Sequence, residues 1–139
     1  SKGLIRDVQF KDIGNDAIDI SKSQVNSENI SILNCGDKGI SVGEKSNYYV
    51  DGLSIDRAYI GIASKDKSIF IGKNITLKNT FVGIAGYTKK PEFGPGYIRI
   101  NNLVNDKTSN KNLVEEDSIL IIDDKKINLK NNNVLNTLY

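Results

Sequence analysis

The residues able to do chemistry are few in kind. The 139-residue chain has no histidine and a single cysteine. Without imidazole, Ser–His–Asp triads and histidine zinc sites are excluded; one thiol excludes an intrachain disulfide and a cysteine-rich metal site. Cys35 stands beside Gly36 with no base to activate it, so it reads as a small packing residue. Lysines and carboxylates remain, and they recur. Lys22, Glu44-Lys45, Lys65-Asp66-Lys67 and Lys89-Lys90 follow one another at intervals close to 22 residues. Stacked in space, they form a net positive ridge that could hold an anionic glycan or a teichoic-type polymer, with Tyr87 and Phe93 as stacking surfaces beside it. Plain solubility is the competing use of such lysines. A second set, Asp12, Asn15, Asp16, Asp19 and Asp37, has the oxygen ligands calcium takes. It lacks EF-hand spacing, and Asp16 falls one interval from Lys38, which predicts an ion pair instead. No cofactor is expected, calcium being the one cation these residue types would suit.

Those intervals require a repeating scaffold. Ala17-Ile18-Asp19-Ile20, Gly39-Ile40-Ser41-Val42, Gly61-Ile62-Ala63-Ser64 and Gly83-Ile84-Ala85-Gly86 recur with a step of 22 residues. A fixed period of that size marks stacked structural units. Ahead of each copy lies an alternating apolar–polar run: Val8-Gln9-Phe10, Ile30-Ser31-Ile32, Leu53-Ser54-Ile55, Ile75-Thr76-Leu77 and, by the same pattern, Ile98-Arg99-Ile100. Asp12, Asn34, Arg57, Asn79 and Asn102 supply the turn that follows, where Asn tolerates left-handed backbone. A third set is Ser23-Gln24-Val25, Ser46 to Val50 and Ser68 to Ile71. Each repeat thus holds three short strand-patterned runs and no segment long enough for a helix.

Three strands of about four residues plus three turns consume roughly 22 residues, one full coil, with successive coils about 4.8 Å apart and like strands paired in parallel. Ile18, Ile40, Ile62 and Ile84 then stack as one internal ladder. A leucine-rich repeat is the competing architecture of this period, but its L-x-x-L-x-L spacing is missing. The fold class is therefore all-β, a parallel β-helix of three-strand coils. The second-strand motif looks bare on its outer side: Gly39, Ser41, Gly61, Ala63, Gly83 and Ala85 are read as a face that packs against the C-terminal tail, an absent segment or a partner chain.

Gly14 to Ser21, Gly36 to Glu44 and Ile60 to Asp66 resemble coils of the right-handed parallel β-helix proteins, the superfamily that includes pectate lyases, over about residues 4–102. The tract Tyr87 to Gly96 is similar to segments of bacterial β-helix proteins. The resemblance implies an exported, extracellular or cell-surface bacterial protein with a polysaccharide as its partner. Lyases of this fold use basic residues and carboxylates on the first sheet, and Lys11, Asp56, Lys78 and Arg99 would form the corresponding groove. With one carboxylate among them, they support neither a calcium-assisted lyase nor a paired-acid hydrolase. A non-catalytic structural or recognition domain is the expected function, with no catalytic residue assigned. The alternative is a fragment of a polysaccharide lyase or related carbohydrate-active enzyme.

Beyond Asn102 the period fails by this reading. Residues 1–102 are expected to form the coils and 103–139 a cap of the same domain, with a β-hairpin from Ser118-Ile119-Leu120-Ile121-Ile122 through Asp123-Asp124 to Lys125–Leu129. Leu4-Ile5 leads almost directly into the first strand, so further N-terminal coils or a partner subunit are expected there; Ser1-Lys2-Gly3-Leu4 is not a signal peptide. The formal charge of +2 implies no general attraction to nucleic acid, and no run reaches the ~20 apolar residues of a membrane span.

Overall fold

A computed structural model describes residues 1–128 and 134–139. The chain is a parallel β-solenoid of about six turns. Its strands are β1 (Lys2–Ile13), β2 (Ile18–Ser21), β3 (Gln24–Gly43), β4 (Asn47–Lys65), β5 (Ile69–Lys78), β6 (Val82–Tyr87), β7 (Tyr97–Asp106), β8 (Asn110–Val114), β9 (Ile119–Ile122) and β10 (Lys125–Lys126), followed by the short helix α1 (Val134–Leu138). The longer strands bend through corners of the coil, so one strand serves more than one face.

Three ladders run along the stack. The first pairs Val8, Ile30, Leu53, Ile75 and Leu103; the second Ile18, Ile40, Ile62, Ile84 and Asn112; the third Val25, Tyr48, Phe70, Ile98 and Leu120. Period-2 alternation sends these side chains inward, where Ile40, Ile62, Ile84 and Phe70 are fully buried. Each such side chain contributes roughly 1.5–3 kcal/mol by leaving water. Tyr48 and Phe70 stack with ring centroids 5.6 Å apart. Ser27 Oγ lies 2.8 Å from the buried Tyr48 hydroxyl, giving that polar tip a partner.

The corners are held by side chains that suit left-handed backbone. Asp7, Asn29, Gly52, Asn74 and Asn102 occupy one corner column, all at positive φ, and Asp12, Asn34, Arg57, Asn79 and Lys107 another. Asn is suited because its amide also bonds along the stack: Asn29 Nδ2 donates to Asp7, Asn34 to Asp12, Asn74 to Asp51, Asn79 to Asp56 and Asn102 to Asn74, at 2.7–3.0 Å. The third corner carries buried serines. The backbone N–H of Ser23 donates to Ser46 Oγ, that of Ser46 to Ser68 Oγ, and that of Gly96 to Ser118 Oγ.

The expected repeats need three corrections. First, Ile98-Arg99-Ile100 is not a fifth first-ladder run. Ile98 pairs with Phe70 on the third ladder, while Leu103, Val104 and Asn105 follow Ile75, Thr76 and Leu77. Equivalent residues are 22 or 23 apart in the earlier coils but 28 apart here, as between Thr80 and Thr108. The extra residues form the loop between β6 and β7. Second, Asn102 accordingly moves to the Asn29–Asn74 column, and Lys107 takes the corner assigned to it. Third, parallel pairing does not stop at 102. It continues through β8 on β6 and β9 on β7, and residues 105–112, expected as turn, take in the end of β7 and the start of β8. A hairpin then joins β9 to β10 antiparallel around Asp123-Asp124, and Ile127 N–H donates to Leu120 O. Leu129 of the expected hairpin lies outside the described residues.

Candidate functional site

A groove of about 450 Å³ runs along the outer side of the third ladder. Its walls follow from register. Tyr48 and Phe70 point inward, so their neighbours Tyr49 and Ile71 must point out, in a column with Leu4, Asn26 and Arg99. The adjacent outward column reads Glu28, Asp51, Lys73 and Asn101. Leu4, Tyr49 and Ile71 give an apolar floor, while Asn26, Glu28, Asp51, Lys73 and Asn101 supply hydrogen-bond donors and acceptors along its edge. Lys73 Nζ lies 3.6 Å from Asp51 Oδ2, and Asn74 donates to the other oxygen of that carboxylate, so Asp51 is held in place. A half-exposed aromatic face rimmed by fixed polar groups can stack a sugar ring and bond its hydroxyls.

A second, polar cavity of about 200 Å³ opens on the outer side of the second ladder. It lies among Asp16, Asp19, Lys38, Ser41, Lys65 and Asp66 at the corner where the β6–β7 loop returns. Lys65 Nζ is 2.7 Å from Ser41 Oγ. Burial, foremost, pulls the Lys65 ammonium below its ordinary range, with the charges of Lys38 and Lys89 adding to the effect. Lys38 is buried, with Nζ 3.4 Å from Asp37 and 3.9 Å from Asp16. Burial works against its charge, but Tyr139 and those two carboxylates outweigh it and hold the ammonium above its usual range. Burial lifts the Asp16 carboxyl against the lowering effect of the Lys38 N–H and ammonium.

Next to this cavity, helix α1 covers the middle coils. Val134 and Leu138 pack with Ile60, Ala63, Val82, Ala85 and Leu113, and Tyr59 stacks on Phe81 with its hydroxyl donating to Thr137 O. Tyr139 bonds Tyr87 through their hydroxyls at 2.8 Å and lies under the ammonium groups of Lys38 and Lys89.

The residues singled out from sequence divide on these surfaces. Lys11, Asp56 and Lys78 do share an outward column, with Leu33 and Asp106, on the first ladder. Arg99 does not join them: it belongs to the third ladder, where it pairs with Asp124. Of the ridge, Lys65 lines the polar cavity, Lys89 stands on Tyr139, Lys90 pairs with Glu44 and Lys67 is exposed. Tyr87 is not a surface residue at all; it is fully buried, so no sugar can stack on it. Phe93 instead carries the Lys45 ammonium over its ring.

The small-residue face also needs correction. Ser41, Ala63 and Ala85 are outward and buried, but Gly39, Gly61 and Gly83 are not outward positions. A Cβ on Gly39 would come 2.7 Å from the inward Ile55, and one on Gly61 would come 2.6 Å from Gly83 O. An irregularity between Cys35 and Lys38 shifts the alternation there. These glycines are small because a first-ladder side chain and the next coil's carbonyl already fill the space. Cys35 is buried, with Sγ 2.8 Å from Asn15 O, and burial pushes its thiol pKa up, away from reactivity. Among the described residues no group of three or more acidic, Cys or His side chains gathers as a metal site would require.

Tyr49, Ile71 and Asp51 were missed by sequence reasoning. The signal was there in the alternation of Tyr48 with Tyr49 and of Phe70 with Ile71, but it marks a strand without saying which member faces out. No protein-family model matches the chain, and neither the curated proteins nor the solved structures compared with it give a significant match.

Proposed function

We propose that this β-solenoid is a non-catalytic recognition domain that binds carbohydrate, one of the right-handed, pectate-lyase-like kind, working at the surface of a bacterial cell or outside it. The observation that carries the reading is the groove with Tyr49 and Ile71 on its floor and Asn26, Asp51, Lys73 and Asn101 along its edge. Ladder pairing fixes the backbone beneath these side chains, so little ordering opposes binding. Export and bacterial origin come from the resemblance alone. No helix among the described residues is long and apolar enough to cross a membrane. Among the described residues β1 ends the strand order, and its outer edge could take a strand of a partner subunit.

The lyase alternative loses its constellation once Arg99 leaves the column of Lys78 and Asp56. A glycan array on the full chain, followed by calorimetry on the hits, tests recognition. Tyr49→Ala and Asp51→Ala should each weaken binding about tenfold or more, a loss of about 1.4 kcal/mol. Silence across neutral and acidic glycans, or release of unsaturated sugars from a uronate polymer, would overturn the reading.

A further inference from the structure

The polar cavity beside α1 stands apart from the groove, and its chemistry is independent of whatever the groove holds. Lys65 reaches into it with its stem alongside Gly43, at ordinary contact distance from where a Cβ there would stand. Lys38 and Lys89 bring two more ammonium groups, 5.3 and 4.6 Å from the centroid of the Tyr139 ring. Of the three, Lys38 alone has carboxylates within 4 Å among the described residues; Lys65 has the Ser41 hydroxyl and Lys89 the ring. Asp16, Asp19, Glu44 and Asp66 also line the cavity and offset its charge overall, but among the described residues none lies within 4 Å of Lys65 or Lys89. An anion set between those two ammonium groups would therefore gain from both.

The opposite wall asks for a donor. Asp66 is 1% exposed. Its Oδ1 accepts the backbone N–H groups of Lys89 and Lys90 at 2.8 and 2.7 Å, while its Oδ2 is buried with no partner among the described residues. A buried carboxylate oxygen left unmatched is costly, and a ligand hydroxyl would satisfy it. The space, about 200 Å³, equals that of about seven waters, enough for a phosphate on a small polyol and too little for a nucleotide. Lysine suits phosphate as a point charge where a carboxylate would favour the planar fork of arginine. We propose that this cavity binds the phosphate monoester of a small polyol, with Lys65, Lys38 and Lys89 on the phosphate and Asp66 accepting from a hydroxyl.

Calorimetric titration of the full chain with glycerol 3-phosphate, inorganic phosphate and glycerol tests this. Glycerol phosphate should bind saturably, inorganic phosphate at least about threefold more weakly, and glycerol alone not at all. Lys65→Gln and, separately, the more exposed Lys89→Gln should each weaken glycerol phosphate about tenfold, with Lys67→Gln unchanged and folding of every variant followed by thermal melting. No saturable binding up to about 10 mM, equal affinity for phosphate alone, or an equal loss in Lys67→Gln would each overturn the proposal.

Discussion

Two outer faces of the same solenoid have opposite fates. On the second ladder the outward side chains of the middle coils are small or apolar, Ser41, Ala63, Ala85, Ile60 and Val82, and helix α1 lies over Ala63 and its neighbours. On the third ladder the outward column offers Tyr49 and Ile71, half-exposed, with charged and amide groups beside them. Both faces rest on one backbone and the same internal ladders, so the scaffold does not decide which face is covered. Side-chain size does. Alanine lets a second layer approach closely, whereas the upright Tyr49 and Ile71 hold such a layer off and leave a trough. The closed face adds stability, and the open one leaves surface for contact.

The largest expected effect tests the closed face. Ala63→Asp would bury a carboxylate under α1 and should cost about 3 kcal/mol or more in chemical denaturation, while Ile71→Asp on the open face should cost about 1 kcal/mol or less. Equal costs would end the distinction. Alkaline pH comes next and reaches the layer beneath the open face. Burial raises the Tyr48 hydroxyl to about 12, its Ser27 bond working the other way. An unfolded tyrosine ionises near 10, so between pH 10 and about 12 the unfolded chain holds fewer protons than the folded one and stability falls as pH rises. The fall attributable to Tyr48 is roughly 3 kcal/mol, and Tyr48→Phe should make the denaturation midpoint fall less steeply across that window. Tyr87, beneath the closed face, is driven upward in the same direction by burial and by its bond to Tyr139.

Leu138→Ala removes one of the apolar side chains that α1 buries and should cost about 2 kcal/mol, against almost nothing for Leu4→Ala on the exposed end of the groove floor. The smallest effect sharpens the open face. Lys73→Met breaks an exposed ion pair with Asp51 and should change the melting free energy by less than about 1 kcal/mol, while glycan affinity falls measurably.

Much of this fold is legible in sequence because inward isoleucines recur at a fixed step. Ile18, Ile40, Ile62 and Ile84 cannot be aligned otherwise without turning the ladder to solvent. The reading slips where periodicity is ambiguous. Ile98-Arg99-Ile100 and Leu103-Val104-Asn105 both alternate, and only the position of the inserted loop, between β6 and β7, says which belongs to the first ladder. Gly39, Gly61 and Gly83 mislead for a related reason: an irregularity of one residue turns an outward position inward. The polar cavity was legible only in pieces. Lys65 and Ser41 were both visible, but two residues of offset between adjacent coils, on top of the pairing of Ser41 with Ala63, bring their side chains together. Tyr49 could not be told from Tyr48, since the two differ only in which way the strand turns them.

The amides at the corners give the stack a sense of direction. At the two corners that carry Asn, five amides donate to the Asp or Asn of the coil before, as from Asn102 back to Asn74 and from Asn74 back to Asp51, with Gly52 and Arg57 interrupting the two columns. The same vector runs in the separate pairs Asn29 to Asp7 and Asn34 to Asp12, so the first coil presents two carboxylates that only accept. Such a column is polar, like a row of aligned magnets. Another coil array meeting this end tail-first could extend it with donors, but a copy meeting it head-first would set carboxylate against carboxylate. At these two corners, the carboxylates of Asp7 and Asp12 favour a neighbour that brings donors to that end.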